Sequence, residues 1–110
     1  MPRPPKPFLE FTRQNPGVGR AYEALGAACG EAGPLDAKTR ELVKLGLAIG
    51  GRLEGAVHSH VRRAREAGAT AAEIGHVVAL ATPTLGLPTT VAAYTWVRET
   101  LAPEGLRRRR

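Results

Sequence analysis

The sequence predicts an all-α protein, a single-domain bundle of about five or six helices, and three observations lead there. Apolar residues recur three and four positions apart in successive windows, the spacing that lines one face of a helix. No segment shows sustained period-two alternation with β-branched enrichment, as a half-buried strand would. The hydrophobic share is 43% but only 5% of residues are aromatic, so the core has to come from Leu, Val, Ile and Ala, which suits closely packed helices. A chain of 110 residues is one domain's worth, and its apolar content is enough to offset the entropy of ordering it.

Residues 1–7 carry four prolines and read as an extended arm, with a helical domain over 8–106 and a basic tail over 107–110. Phe8, Leu9 and Phe11 would anchor the arm. Asn15-Pro16 is a helix start, followed by Val18, Tyr22, Leu25 and Cys29 at helical spacing, which puts Cys29 on an apolar face as a buried, inert thiol. Gly33-Pro34 closes that helix, and Asp36 is the N-cap candidate of the next, whose stripe is Leu42, Leu45 and Ile49. Glu41 falls at the border of this stripe.

Gly50-Gly51 breaks the chain into a further helix with Leu53, Ala56, Val57, His60, Ala64 and Ala67 along one face, so His60 sits among apolar residues. Glu54, His58, Arg62 and Arg65 fall on the other side, where Glu54 can pair with His58 and Arg62 with Glu66. Gly68 is a C-cap, and Thr70 to Glu73 form a capping box opening a helix through Ile74, Val77, Val78 and Ala81, with His76 off the stripe. Pro83 should end or kink it. Pro88 can begin the last helix, with Val91, Tyr94, Trp96, Val97 and Leu101, and Pro103 and Gly105 should terminate it.

The formal charge of +6 suggests nucleic acid until it is located. Arg107 to Arg110, with Arg3 and Lys6, account for all of it, so residues 8–106 carry no net basic excess to track a phosphate backbone. The single cysteine excludes an intrachain disulfide and a cysteine-rich metal site, and it fits a reducing cytoplasm. The N-terminus has no signal-like apolar run, and no segment approaches the roughly 18 apolar residues of a membrane span. The expectation is a cytoplasmic protein that binds neither membrane nor nucleic acid.

For chemistry, His60 within an apolar stripe and Glu41 on the preceding helix make a proton-transfer pair, although the same residue types also suit a plain core histidine bonded across two helices. His58 and His60 point about 200 degrees apart on a helix and cannot chelate one metal together. No phosphate-binding glycine motif appears, so nucleotide binding has no motif behind it.

The stretch from Leu35 to Tyr94 resembles the carboxymuconolactone decarboxylase family, which includes the alkylhydroperoxidase D-like proteins. The resemblance rests on the ELVxL helix, the histidine followed by a basic-alanine run to Ala67-Gly68, the TxxEI helix start and the GLP joint. It implies an alkylhydroperoxidase D-like fold. In the redox branch a Cys-x-x-Cys pair is followed by a relay histidine four residues on, and a glutamate one helix earlier completes the relay; by the resemblance Glu41 and His60 match the relay, while Leu53 and Ala56 stand at the thiol positions. Neither can form the thiolate that disulfide exchange needs, so thiol peroxidase activity is not expected.

The decarboxylase branch implies no metal and no organic cofactor. By that resemblance His60 would protonate a carbanion or enolate, Glu41 would orient the imidazole, and Arg40 or Arg52 would hold a substrate carboxylate. The alternative is a non-catalytic oligomeric scaffold or binding protein that lost the redox cysteines. Family members commonly form trimers or hexamers, and so small a chain with several apolar helices is expected to self-associate.

Overall fold

Helix signals in the sequence become helices throughout the computed structural model, which describes residues 6–105, with side chains described to residue 102. In chain order these are α1 (Lys6–Gln14), α2 (Pro16–Gly30), α3 (Ala37–Gly50), α4 (Glu54–Glu66), α5 (Ala71–Leu85) and α6 (Leu87–Gly105), and no strand occurs among the described residues. The fold is all-α. The chain divides into two units, Met1–Asp36 and Ala37–Arg110. None of the helices is long and apolar enough to cross a membrane. The first part of the proline-rich arm and the basic tail lie outside the described residues, whereas Lys6 and Pro7 already belong to α1.

In the first unit Asn15 joins two helices. Its side-chain amide donates to the Phe11 carbonyl at 3.0 Å and closes α1, while Pro16, with no N–H to satisfy, begins α2. The cap position is as expected, but Asn15 makes no side-chain bond into α2. Gly19 is buried, and a Cβ there would come within 3.2 Å of the Thr12 Cβ, so the close crossing depends on its missing side chain. The Phe8 and Tyr22 rings meet edge to face, with centroids 6.1 Å apart. The stripe of Val18, Tyr22 and Leu25 is exposed, and so is Cys29, contrary to the buried thiol expected from its spacing. Periodicity marks an apolar face but does not supply what would cover it.

The second unit has one aliphatic core, drawn from every helix in it: Leu45 and Ile49 of α3, Val57, Val61 and Ala64 of α4, Ile74 and Val78 of α5, Ala93 and Val97 of α6. Leu42, Trp96 and Leu101 pack against it half-buried. On α6 the inward face uses small residues, with Thr90 and Ala93 buried where Val91 and Tyr94 were expected and are instead exposed. Small side chains let α6 approach its neighbours closely. Arg62, which its spacing puts on the side of α4 opposite the apolar stripe, is only 8% exposed, because that face of α4 is itself covered by α6. Burial, reinforced by the neighbouring Arg63 and opposed by Glu66, lowers its pKa from the usual guanidinium value.

The connections explain how the helices are placed. At the end of α3 the Leu53 N–H bonds the Ala48 carbonyl at 2.9 Å and the Arg52 N–H bonds the Ile49 carbonyl at 3.0 Å, a Schellman closure. The left-handed residue in it is Arg52, at φ 54, and not either glycine of the predicted joint. The same closure recurs after α4, with Ala69 bonding Ala64, Gly68 bonding Arg65, and Gly68 at φ 100. The Thr70 hydroxyl accepts from the Glu73 N–H at 3.0 Å and Glu73 accepts from the Thr70 N–H at 2.9 Å, completing the capping box. Helix α5 continues past Pro83 to Leu85, so that proline does not end it, since a proline near a helix end removes only one backbone bond, while α6 runs through Pro103 to Gly105, the last described residue.

Candidate functional site

Glu41 lies in the second turn of α3 and His60 midway along α4, and the tight turn between these helices folds one against the other. Their side chains meet. His60 Nδ1 lies 2.9 Å from Glu41 Oε1, and the second carboxylate oxygen, Oε2, accepts from Lys44 Nζ at 3.0 Å, one turn along α3. The pair is largely shielded, at 14% exposure for the Glu41 side chain and 17% for that of His60.

Burial alone would raise the Glu41 pKa, but the hydrogen bonds from His60 and Lys44, with their charges, outweigh it and hold the carboxyl below its ordinary value. An ionised carboxylate can only accept, so Nδ1 carries the hydrogen and Nε2 is the ring atom left for a substrate. Among the described residues Nε2 has no hydrogen-bond partner.

The lowered pKa fixes a sign for acid stability. Ionised Glu41 contributes stability that is full above the ordinary carboxylate value of about 4.3 and is lost as pH falls through its lower folded value. The urea midpoint of the wild-type chain should therefore exceed that of Glu41→Gln at neutral pH, with the gap closing in acid. A gap independent of pH would show that Glu41 acts only through its shape.

The remaining candidates are not gathered at this pair. Arg52, in the α3–α4 turn, donates from Nη1 to Thr89 Oγ1 at 2.8 Å, which ties the turn to the first turn of α6. Arg40 is half-buried beside Glu41 on α3. Leu53 is exposed just before α4, and Ala56 packs against the core one turn before His60. Lys44 was not anticipated, although its spacing from Glu41 allowed a contact. His58 was paired with Glu54 in the sequence, and the two meet at 3.5 Å, but His58 also reaches Glu99 and Thr100 of α6.

Two open grooves mark this unit, and neither is lined by Glu41 or His60. One, of about 580 Å³, lies between α5 and α6 against Val78, Thr90, Val91, Tyr94 and Leu101. The other, of about 340 Å³, lies between α3 and α5 against Leu42, Val43, Val77, Leu80 and Leu85. Both are apolar surfaces. Neither groove takes its lining from the Glu41–His60 pair.

Residues 16–99 match the model of the carboxymuconolactone decarboxylase family. A Haemophilus influenzae protein described as uncharacterized is 46% identical over 59 residues, which are 54% of this chain and 52% of that protein. The chain therefore spans about half the length of the curated relative it matches. The crystal structure of an apo carboxymuconolactone decarboxylase family protein from Legionella pneumophila is similar with a TM-score of 0.71, covering 83% of this chain and 81% of that one. At 24% identity that likeness shows the fold.

Proposed function

The chain belongs to the carboxymuconolactone decarboxylase family, and from that premise we propose that it carries out cofactor-free acid–base chemistry, decarboxylation or a related lyase reaction, on a small carboxylated substrate. The observation that carries this reading is the shielded hydrogen bond between His60 Nδ1 and Glu41 Oε1. It fixes the imidazole and directs Nε2 away from the carboxylate. In the proposed step the bond from carbon to the departing carboxylate breaks, its electron pair passes into an adjacent carbonyl as an enolate, and carbon dioxide leaves. Protonated His60 then gives the Nε2 proton to the carbon and recovers it from water, with Glu41 offsetting the charge of the imidazolium. Arg40 and Arg52 are the proposed anchors for a substrate carboxylate. Thiol chemistry has no part in it, because Leu53 and Ala56 stand at the family's thiol positions and the chain has one cysteine.

A substrate chamber in this reading is completed by other copies of the chain, as a trimer or hexamer in the cytoplasm. Support comes from leucines 47, 53, 80 and 87, all more than half exposed. Sedimentation at the mass of one chain would overturn the assembly. A second reading, a non-catalytic oligomeric scaffold, is favoured by the lining of both apolar grooves, which includes neither Glu41 nor His60. Carbon dioxide release from a panel of carboxylated lactones and keto acids separates the two. Turnover by the wild-type chain that falls in His60→Ala and Glu41→Gln supports the enzyme, and equal rates in all three exclude it.

A further inference from the structure

On the opposite side of α4 from His60, three potential ligand atoms converge between α4 and α6: Glu54 Oε2, His58 Nε2 and Glu99 Oε1. His58 Nε2 is 3.5 Å from the Glu54 oxygen and 3.7 Å from that of Glu99, and all three atoms lie within 4.8 Å of one another. The other ring nitrogen, Nδ1, bonds the Thr100 hydroxyl, and that hydroxyl spends its single hydrogen on the Trp96 carbonyl at 3.4 Å. Thr100 therefore accepts from Nδ1–H. In the neutral ring this leaves the Nε2 lone pair facing two carboxylate oxygens, an arrangement of three acceptors that repel one another unless a cation lies among them.

Two cations can answer that need, a proton on Nε2 or a metal ion. Ligands about 2.0–2.1 Å from a tetrahedral zinc ion lie about 3.4 Å apart, and His58 Nε2 stands 3.5 and 3.7 Å from the two carboxylate oxygens, which are themselves within 4.8 Å of each other. An outer partner fixing the second ring nitrogen is also what a metal-bound histidine has, and Thr100 supplies it. Glu54 and Glu99 are more than half exposed, so they can close on an ion arriving from solvent.

We propose that Glu54, His58 and Glu99 bind a divalent first-row cation of the zinc class, with water completing its coordination. Glu54 and His58 are one turn apart on α4 and Glu99 comes from α6, so the ion ties these two helices together. It is separate from the acid–base pair, since His58 and His60 leave α4 in opposite directions, and it takes no part in the proposed reaction.

The test uses the full chain, stripped with a chelator and titrated with Zn²⁺ by calorimetry, and with Co²⁺ by absorption spectroscopy. One equivalent should bind per chain and raise the melting temperature. His58→Ala should abolish binding, and Glu99→Gln, an exposed position that does not threaten folding, should weaken it more than Thr100→Val does. Thr100→Val, which removes only the outer partner, should weaken it about 10- to 100-fold. Glu41→Gln should bind as the wild type does. No binding at millimolar Zn²⁺, or undiminished binding by either His58→Ala or Glu99→Gln, overturns the assignment and leaves a proton as the cation.

Discussion

Replacing His60 by alanine is expected to lower kcat/KM for decarboxylation by about 100- to 10,000-fold, the usual contribution of a positioned general acid. The substitution removes Nε2, the atom that gives up the proton in the proposed step. Glu41→Gln should cost less. Its amide oxygen can still accept from Nδ1 and keep the ring in place, but it no longer offsets the positive charge that His60 carries before the transfer. If turnover is measured on carboxylated lactones and keto acids with folding checked by circular dichroism, a folded His60→Ala chain as active as the wild type sinks the mechanism.

The largest expected effect on stability comes from Leu45→Ala. Leu45 has no exposed surface and stands where α3 meets the rest of its unit, and deleting such a side chain costs about 2–5 kcal/mol through lost transfer energy and the cavity left behind. Against a total of about 5–15 kcal/mol for a domain, that is a large fraction. Leu47, two residues along the same helix and 69% exposed, is the matched control. Leu47→Ala should stay within about 0.5 kcal/mol if the chain unfolds as a monomer. Urea denaturation of both variants measures the contrast, and a Leu45→Ala chain as stable as Leu47→Ala would contradict the core assignment.

These two leucines also show what could be read from the chain. Spacing alone selected Leu42, Leu45 and Ile49 for the core and left Leu47 out, because one helix face is a local property. The capping box at Thr70 and the left-handed glycine at Gly68 were legible for the same reason, as each is settled within a few residues. The Val18 to Cys29 stripe was misread by identical reasoning, since its burial depends on a covering partner that no local pattern specifies. Spacing put Arg62 opposite the apolar stripe, and α6 covers that face of α4 as well.

The site divides along the same line. Glu41 and His60 were nominated by their places at the edge and middle of apolar stripes and by a family resemblance, and their hydrogen bond followed once α3 folded against α4. Thr100 and Glu99 could not be nominated as partners of His58. They come from a helix about 40 residues further on, and the register of α6 against α4 depends on Thr90 and Ala93 being small enough to let it approach.

The short turn holding Arg52 has a further consequence, for how such a site can be inherited. Because residues 51–53 alone separate α3 from α4, both members of the acid–base pair belong to one uninterrupted stretch of chain, with the geometry of their meeting written into it. A duplication or recombination that carried this hairpin intact would carry the pair with it. Leu53 and Ala56, the positions proposed to correspond to the redox branch's thiols, lie in that stretch as well.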